Sequence, residues 1–356
     1  MTVENNKIAK MNTKNWLQVL NFILVSSLLT ACNFKSSEQI QIGFENNTSD
    51  LTDSLKTINS FSKKDNFFVL NYVGNYDDKI QWLQDYFNQH AGVDFKPNPS
   101  GCSVFYATND SNKNYLGQNV DLPACNVLFA KYSSNEKYRS IAFSRIEDMQ
   151  GFNKETNPSN LTNAQKTSIL FFPFYAVGGI NEHGVAVGIA GIPSQMIKET
   201  ENRKPIFVTN LIRQILDNCK TVDDAVQLSH DYYFYDHSLT TNSHHLLIGD
   251  STGCSVIIEY KNGKMEYVYR NQNFQLFTNN YIIDNSTDNL NQCWRYKSIN
   301  KQLSKRNSGF DIQDYLKILD KAKNNTNWSV VYDLKNKQAI FTIYGNLSKQ
   351  YKFGFE

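Results

Sequence analysis

A chain of 356 residues, 40% hydrophobic and 13% aromatic, has the material for one large core or two modest ones. The net charge is only +2 and the charged residues are interspersed. No basic tract offers the electrostatic footprint of a nucleic-acid binder, so that class is excluded.

The first 31 residues read as a targeting segment. Lys7, Lys10 and Lys14 precede an apolar run from Trp16 to Leu29, which Asn21, Ser26 and Ser27 interrupt. The run falls short of the ~20 residues of a membrane span. It ends in Leu29-Thr30-Ala31-Cys32, which resembles a bacterial lipobox, in which the cysteine is lipidated and becomes the new N-terminus. The expectation is an exported protein of the bacterial cell envelope, held to the membrane by lipid on Cys32. A secretory peptide with an incidental cysteine is the other reading.

Five cysteines follow Cys32: Cys102, Cys125, Cys219, Cys254 and Cys293. An odd number leaves one thiol unpaired even if the others bridge. No spacing among them makes a zinc site, and no cofactor is implied. Cys219 and Cys254 sit in apolar helix and strand contexts, where a cysteine is ordinarily a small core residue.

Residues 32–63 are rich in Ser, Asn, Thr, Lys and Glu and read as a polar linker. Residues 64–101 form the next unit: the pattern predicts a strand from Phe67 to Val73 and a helix from Tyr76 to His90. Pro97, Pro99, Ser100 and Gly101 then break regular structure just before Cys102. From Cys102 onward strands are expected at Cys102–Thr108, Tyr115–Asp121, Val127–Tyr132 and Tyr138–Arg145. The dense apolar runs Ile169–Tyr175 and Val185–Ile189 predict central strands covered on both faces. Leu211, Ile212, Ile215, Leu216 and Cys219 share one helical face. A second helix opens at Thr221, whose side chain can cap it. The hairpin Ser255–Tyr260, Asn262-Gly263, Lys264–Tyr269 is strongly signalled. Helices at Leu290–Leu303 and Ile312–Ala322 and a closing hairpin, Trp328–Leu334 with Gln338–Tyr344, complete the order. Two sheets between helix layers would bury these elements: an α+β, αββα sandwich with mostly antiparallel sheets over residues 102–356.

The short blocks then form an ordered set. Gly101-Cys102-Ser103-Val104-Phe105 is followed by Leu116-Gly117-Gln118-Asn119-Val120-Asp121, and later by Asn181-Glu182-His183-Gly184. Leu216–Ala225, His245–Asp250, Thr278-Asn279, Cys293-Trp294-Arg295-Tyr296 and Trp328–Tyr332 complete it. The set resembles the choloylglycine hydrolase and penicillin V acylase group, and the acyltransferase-like "linear amide C–N hydrolases", from about Gly101 onward. Those are N-terminal-nucleophile (Ntn) hydrolases.

The resemblance implies Cys102 as nucleophile and Asp121 as the acceptor that orients its α-amine. It also implies an oxyanion hole from Asn279 and the main-chain amide near Gly191, and Arg295 as a cation beside the thiol. It further implies a cut between Gly101 and Cys102 by the cysteine itself, making 64–101 a pro-segment. The chemistry is sound on its own terms. An α-amine of pKa ~7.7–8 can take the proton of a thiol of pKa ~8.5, so no histidine is required. His183, His244 and His245 are accordingly expected to be structural.

One position departs from the family. Where the family has arginine before Asn-x-Asp this chain has Gln118, a neutral residue placed at the substrate site. The expected function is cleavage of non-peptide linear amides, such as N-acyl amides, through an acyl-enzyme on Cys102. An acyltransferase, or a surface lipoprotein that kept the fold as a binding module, stays open as an alternative. A papain-like protease is excluded for want of a Cys/His pairing signature. A small-molecule amide and the membrane are the partners implied; oligomeric state is not legible.

Overall fold

The structure, a computed structural model, describes residues 48–82 and 101–355 apart from 110, 123–124, 150, 199, 201, 237–238, 284 and 306–309. The targeting stretch, Cys32, and the part of the expected 76–90 helix beyond 82 lie outside the described residues.

In chain order the first strands are β1 (Ser62–Lys64), β2 (Phe67–Val73), β3 (Gly101–Thr108), β4 (Asn114–Asp121), β5 (Val127–Ser133) and β6 (Ser140–Arg145). Then come β7 (Gly178–Asn181), β8 (Ala186–Met196), β9 (Lys204–Phe207), β10 (Tyr232–Tyr235), β11 (Thr241–Gly249) and β12 (Ser255–Lys261). The last are β13 (Lys264–Tyr269), β14 (Phe274–Phe277), β15 (Thr326–Asp333), β16 (Gln338–Ile343) and β17 (Gln350–Phe353). Among the described residues they build a nine-stranded sheet, β1-β2-β5-β6-β7-β8-β11-β12-β13, and a six-stranded sheet, β14-β3-β4-β15-β16-β17. β9 and β10 form a separate parallel pair.

Alternation along β3 shows how the layers arise. Val104 and Tyr106 point into the space between the sheets, with Leu116, Phe143, Leu247, Ile257 and Phe341. Phe105 and Ala107 point the other way, under helices α5 (Trp294–Leu303) and α6 (Ile312–Lys321), with Ile299, Tyr315 and Leu319. The outer face of the nine-stranded sheet packs on α2 (Asn163–Leu170), α3 (Val208–Asn218) and α4 (Val222–Ser229). Three apolar layers thus separate four layers of structure, and the fold is the αββα sandwich the pattern implied. No helix among the described residues is long and apolar enough to cross a membrane.

Several local expectations have clear physical bases. Thr221 accepts from the Asp224 N–H and the Asp224 side chain answers the Thr221 N–H, a reciprocal cap. Asn262 and Gly263 both take positive φ, 56° and 85°, which the tight β12–β13 hairpin requires.

Others fail. Residues 169–175, expected as a strand, are the end of α2 and a 3-10 turn, Phe172–Tyr175. Thr162 and Gln165 form a full capping box that starts the helix, and Pro173 has no N–H to give a sheet. The polar linker ends earlier than expected. Thr48–Ser60 is a helix (α1) whose Thr57 is fully buried and both donates to the Val73 carbonyl and accepts from its N–H. Cys254, expected in a core, is exposed, whereas Cys219 is buried.

The chain ahead of Cys102 is woven into the molecule. β2 lies parallel to β5, with Phe68 opposite Leu128 and Tyr72 opposite Tyr132. Phe67 enters the space between the sheets against Phe341 and Tyr351. Phe68, Leu70, Tyr72 and Tyr76 join the core on the outer face. The Tyr72 hydroxyl donates to the Leu170 carbonyl, and the Tyr76 hydroxyl donates to Asp217.

Candidate active site

Cys102 is the second residue of β3, opposite Val120, and its side chain faces between the sheets with 6% exposure. Gly101 is opposite Asp121, the last residue of β4. β14 runs on the other side of β3, pairing Phe277 with Val104, so the chain leaving β14 carries Asn279 past Cys102. Arg295 is the second residue of α5 and reaches the same point from the helix side.

Hydrogen bonds join these four residues. The Cys102 N–H donates to Asn279 Oδ1 at 3.2 Å. The Arg295 guanidinium donates to the Cys102 carbonyl at 2.6 Å and to Asn279 Oδ1 at 2.6 Å. It also lies 3.4 Å from Asp121 Oδ2 and from Ser103 Oγ. Thr326 donates its hydroxyl proton to Asp121 Oδ1. A Cβ at Gly101 would stand 3.4 Å from both terminal guanidinium nitrogens and from Asp121 Oδ2, so the charged pair packs directly on the backbone of Gly101.

The acceptor of the Cys102 peptide N–H is Asn279 Oδ1. Asn279 Nδ2 donates one of its two hydrogens to the Gly191 carbonyl at 2.7 Å, which fixes the direction of the other. Gly191 meets Asn279 through its carbonyl, not its amide.

Gln118 is not placed to bind a substrate. It is 1% exposed, and its Nε2 donates to the Val177 and Ile189 carbonyls at 3.3 and 3.1 Å, tying β4 to the facing sheet. A neutral donor fits that dry space, where a cation would need a counter-charge.

The electrostatics keep the Cys102 thiol protonated. Burial pushes the Cys102 thiol up to about 12, helped by the Asp121 carboxylate; the Asp121 N–H and Arg295 act in the opposite sense. Asp121 is raised to about 6 by burial, against Thr326, Arg295 and the Asn324 N–H. Cys293, the N-cap of α5, is below its ordinary value: burial opposes this, but the Tyr296 and Arg295 amides, the Thr278 hydroxyl and the Arg295 charge outweigh it. In the uncut chain a thiol reagent therefore meets Cys293 as thiolate more readily than Cys102.

His245, expected to be structural, and Glu259, which the sequence did not single out, are both fully buried near Asn279. Glu259 had a signal, a charge inside the dense apolar strand Val256-Ile257-Ile258-Glu259-Tyr260. Among the described residues no group of three or more His, Cys, Asp or Glu side chains could hold a metal.

Comparisons with known proteins bear on the same residues. A family model described as linear amide C–N hydrolases, choloylglycine hydrolase family, matches residues 102–315, beginning at Cys102. Penicillin V acylase of Pectobacterium atrosepticum is 30% identical over 128 residues. That match spans a third of this chain and a third of the relative's length. Two solved structures share the fold. A variant of conjugated bile acid hydrolase from Clostridium perfringens superposes with a TM-score of 0.51 at 13% identity, over 71% of this chain and 92% of that one. Penicillin V acylase from Agrobacterium tumefaciens gives 0.51 at 17% identity, over 68% and 83%.

Proposed function

The chain belongs to the choloylglycine hydrolase family of linear amide C–N hydrolases, and from that premise we propose that it cleaves N-acyl amides of small molecules through an acyl-enzyme on Cys102. The observation that carries the reading is the convergence of Asn279 and Arg295 on the backbone of Cys102, with Asp121 held beside them by Arg295. Those contacts hold the nitrogen that would become an α-amine.

The proposed sequence begins with a hydrolytic cut between Gly101 and Cys102: Sγ takes the Gly101 acyl group from nitrogen, and water then releases it as the Gly101 carboxylate, leaving Cys102 with a free α-amine and thiol. The released amine has hydrogens to spare, and Asp121 Oδ2 is beside Gly101 to accept one. The amine takes the Cys102 thiol proton, and Sγ attacks the acyl carbon of the substrate. The C–N bond then breaks, and the proton passes to the departing amine. Water cleaves the thioester and returns the enzyme. Arg295 supports the anionic states, and Asn279 Nδ2, with one hydrogen on Gly191, offers its second to an oxyanion. Lipid on Cys32 would hold this enzyme at the cell envelope.

Acid-quenching the protein during turnover and mapping its peptides tests the reaction. The expected result is an acyl mass increment on the peptide that begins at Cys102. Turnover with no increment there, or an increment on Cys293, would refute the assignment.

A pH dependence follows from Asp121. Its carboxyl is protonated below about pH 6 in the folded chain and is the amine's acceptor only when ionised. Turnover should therefore rise with pH through about 6, and the rise should vanish in Asp121→Asn. The folded-state value lies above the ordinary 3.8, so this group's contribution to stability is full below that value and is lost as pH rises through 6. An acid limb that persists unchanged in Asp121→Asn would assign it to another group.

A further inference from the structure

Asn279 is not on a regular element; it lies on the segment that leaves β14 and runs to α5. What fixes that segment comes from the opposite sheet. His245, on β11, is fully buried and faces between the sheets, opposite Ala190 on β8. Its Nε2 lies 2.9 Å from the Thr278 carbonyl, the residue immediately before Asn279. A carbonyl only accepts, so Nε2 carries the proton. The imidazole also stacks on Phe277, with ring centroids 3.7 Å apart and planes 23° apart.

The far end of the segment is held by Glu259 on β12, also fully buried. Its carboxylate accepts from the Ile282 N–H at 3.0 and 3.1 Å and from the Ile283 N–H at 3.3 Å. His245 Nδ1 lies 3.5 Å from Glu259 Oε1, so the two anchors are neighbours in the same buried space. A turn of backbone is thereby pinned before and after Asn279 by one His–Glu couple.

We propose that His245 and Glu259 are positioning residues of the amide-cleaving site, a buried couple that holds the 278–283 segment so that Asn279 stays registered against Cys102. The inference rests on the reaction proposed above but concerns geometry that exists without turnover. Neither side chain touches the nucleophile. Each acts through the Thr278 carbonyl or the Ile282 and Ile283 amides. Asn279 has three contacts to keep at once, to the Cys102 nitrogen, Arg295 and the Gly191 carbonyl. A shift of about 1 Å in such a group costs ~10²-fold in rate.

The test compares His245→Leu, His245→Gln and Glu259→Gln with the wild-type full chain. Readouts are kcat and KM on an N-acyl amide, the thermal midpoint, and alkylation of Cys102 by iodoacetamide mapped by peptide mass. Glutamine places an N–H close to where Nε2 stood; leucine fills the space without a donor. His245→Leu should lower kcat ~10²-fold with KM within about threefold, while His245→Gln stays within about tenfold of wild type. Glu259→Gln, which keeps the side-chain volume and one acceptor, should lose about tenfold in kcat. Cys102 alkylation should quicken severalfold in His245→Leu and not in His245→Gln. Wild-type kcat in His245→Leu, or equal losses in the leucine and glutamine variants at equal folded fraction, would overturn the proposal. If wild type turns over no amide, the alkylation rates decide. A change confined to His245→Leu upholds the positioning role and sinks the reaction, whereas unchanged rates sink the positioning role itself.

Discussion

Cys102→Ala should abolish turnover of every amide substrate and leave the Gly101–Cys102 peptide bond intact. The thiol is the strongest nucleophile of the converging set: Arg295 only donates, Asn279 is a neutral amide that donates and accepts, and Asp121 is a weakly nucleophilic carboxylate. Loss of a nucleophile from a constellation that acts as a unit costs many powers of ten, at least ~10³-fold. The replacement removes one buried sulfur, a change of the order of 1 kcal/mol, so the protein should still fold and the loss can be read as chemistry. Intact-mass analysis and an amide assay on the same preparation provide the check. A chain of Cys102→Ala that is nonetheless cut at Gly101 would show that another protease does the cutting. One that turns over amide at the wild-type rate would end the mechanism.

A chain that begins at Cys102 should not reach the native fold. Phe61, Phe67, Phe68, Leu70, Tyr72, Tyr76 and Ile80 are all buried in the shared cores. At ~1.5–3 kcal/mol for each buried large side chain, their removal withdraws on the order of 10 kcal/mol. That is the scale of the whole net stability of a domain, ~5–15 kcal/mol. The truncation also uncovers the β5 edge and strips Tyr76 from Asp217, which also pairs with the fully buried Arg213 and with Lys137. The expected outcome is insoluble or non-cooperatively melting protein. A protein cut after Gly101, by contrast, should purify as two pieces that separate only in denaturant. A Cys102-start chain with a sharp melting transition near that of the full chain would refute this account.

Much of the architecture was legible because period and punctuation agreed. β12–β13 has alternation plus Asn-Gly, and α3 has an apolar face closed by a capped successor. α1 was not legible, because the residues it turns inward include Ser54 and Thr57, small polar groups satisfied by backbone rather than by apolar spacing. The 169–175 run misled because apolar density alone does not separate a strand from a buried helix and turn; Thr162, Gln165 and Pro173 held the deciding information. At the site, residue types and order placed Cys102, Asp121, Asn279 and Arg295 in one set. Their wiring was not legible, since which amide faces which carbonyl depends on how β14 crosses β3. How His245 and Glu259 connect to the site escaped for the same reason: they act through main-chain atoms of a segment distant in sequence.

The parallel pairing of β2 with β5 has a consequence for the order of events in the life of the chain. The bond between Gly101 and Cys102 lies inside the loop that this pairing closes. While that bond stands, β2 finds its place as part of the same molecule, at an effective concentration of ~mM. After the proposed cut, a strand that strays can return only by collision between two polypeptides, so the working protein and its precursor differ in molecularity. Melting of the precursor is independent of protein concentration, whereas melting of the cut form depends on it. Assembly is then one-way. The scissile bond meets Asn279, Asp121 and Arg295 together only once β3, β4, β14 and α5 have come together, so the machinery that makes the cut assembles late, with the sheets it belongs to.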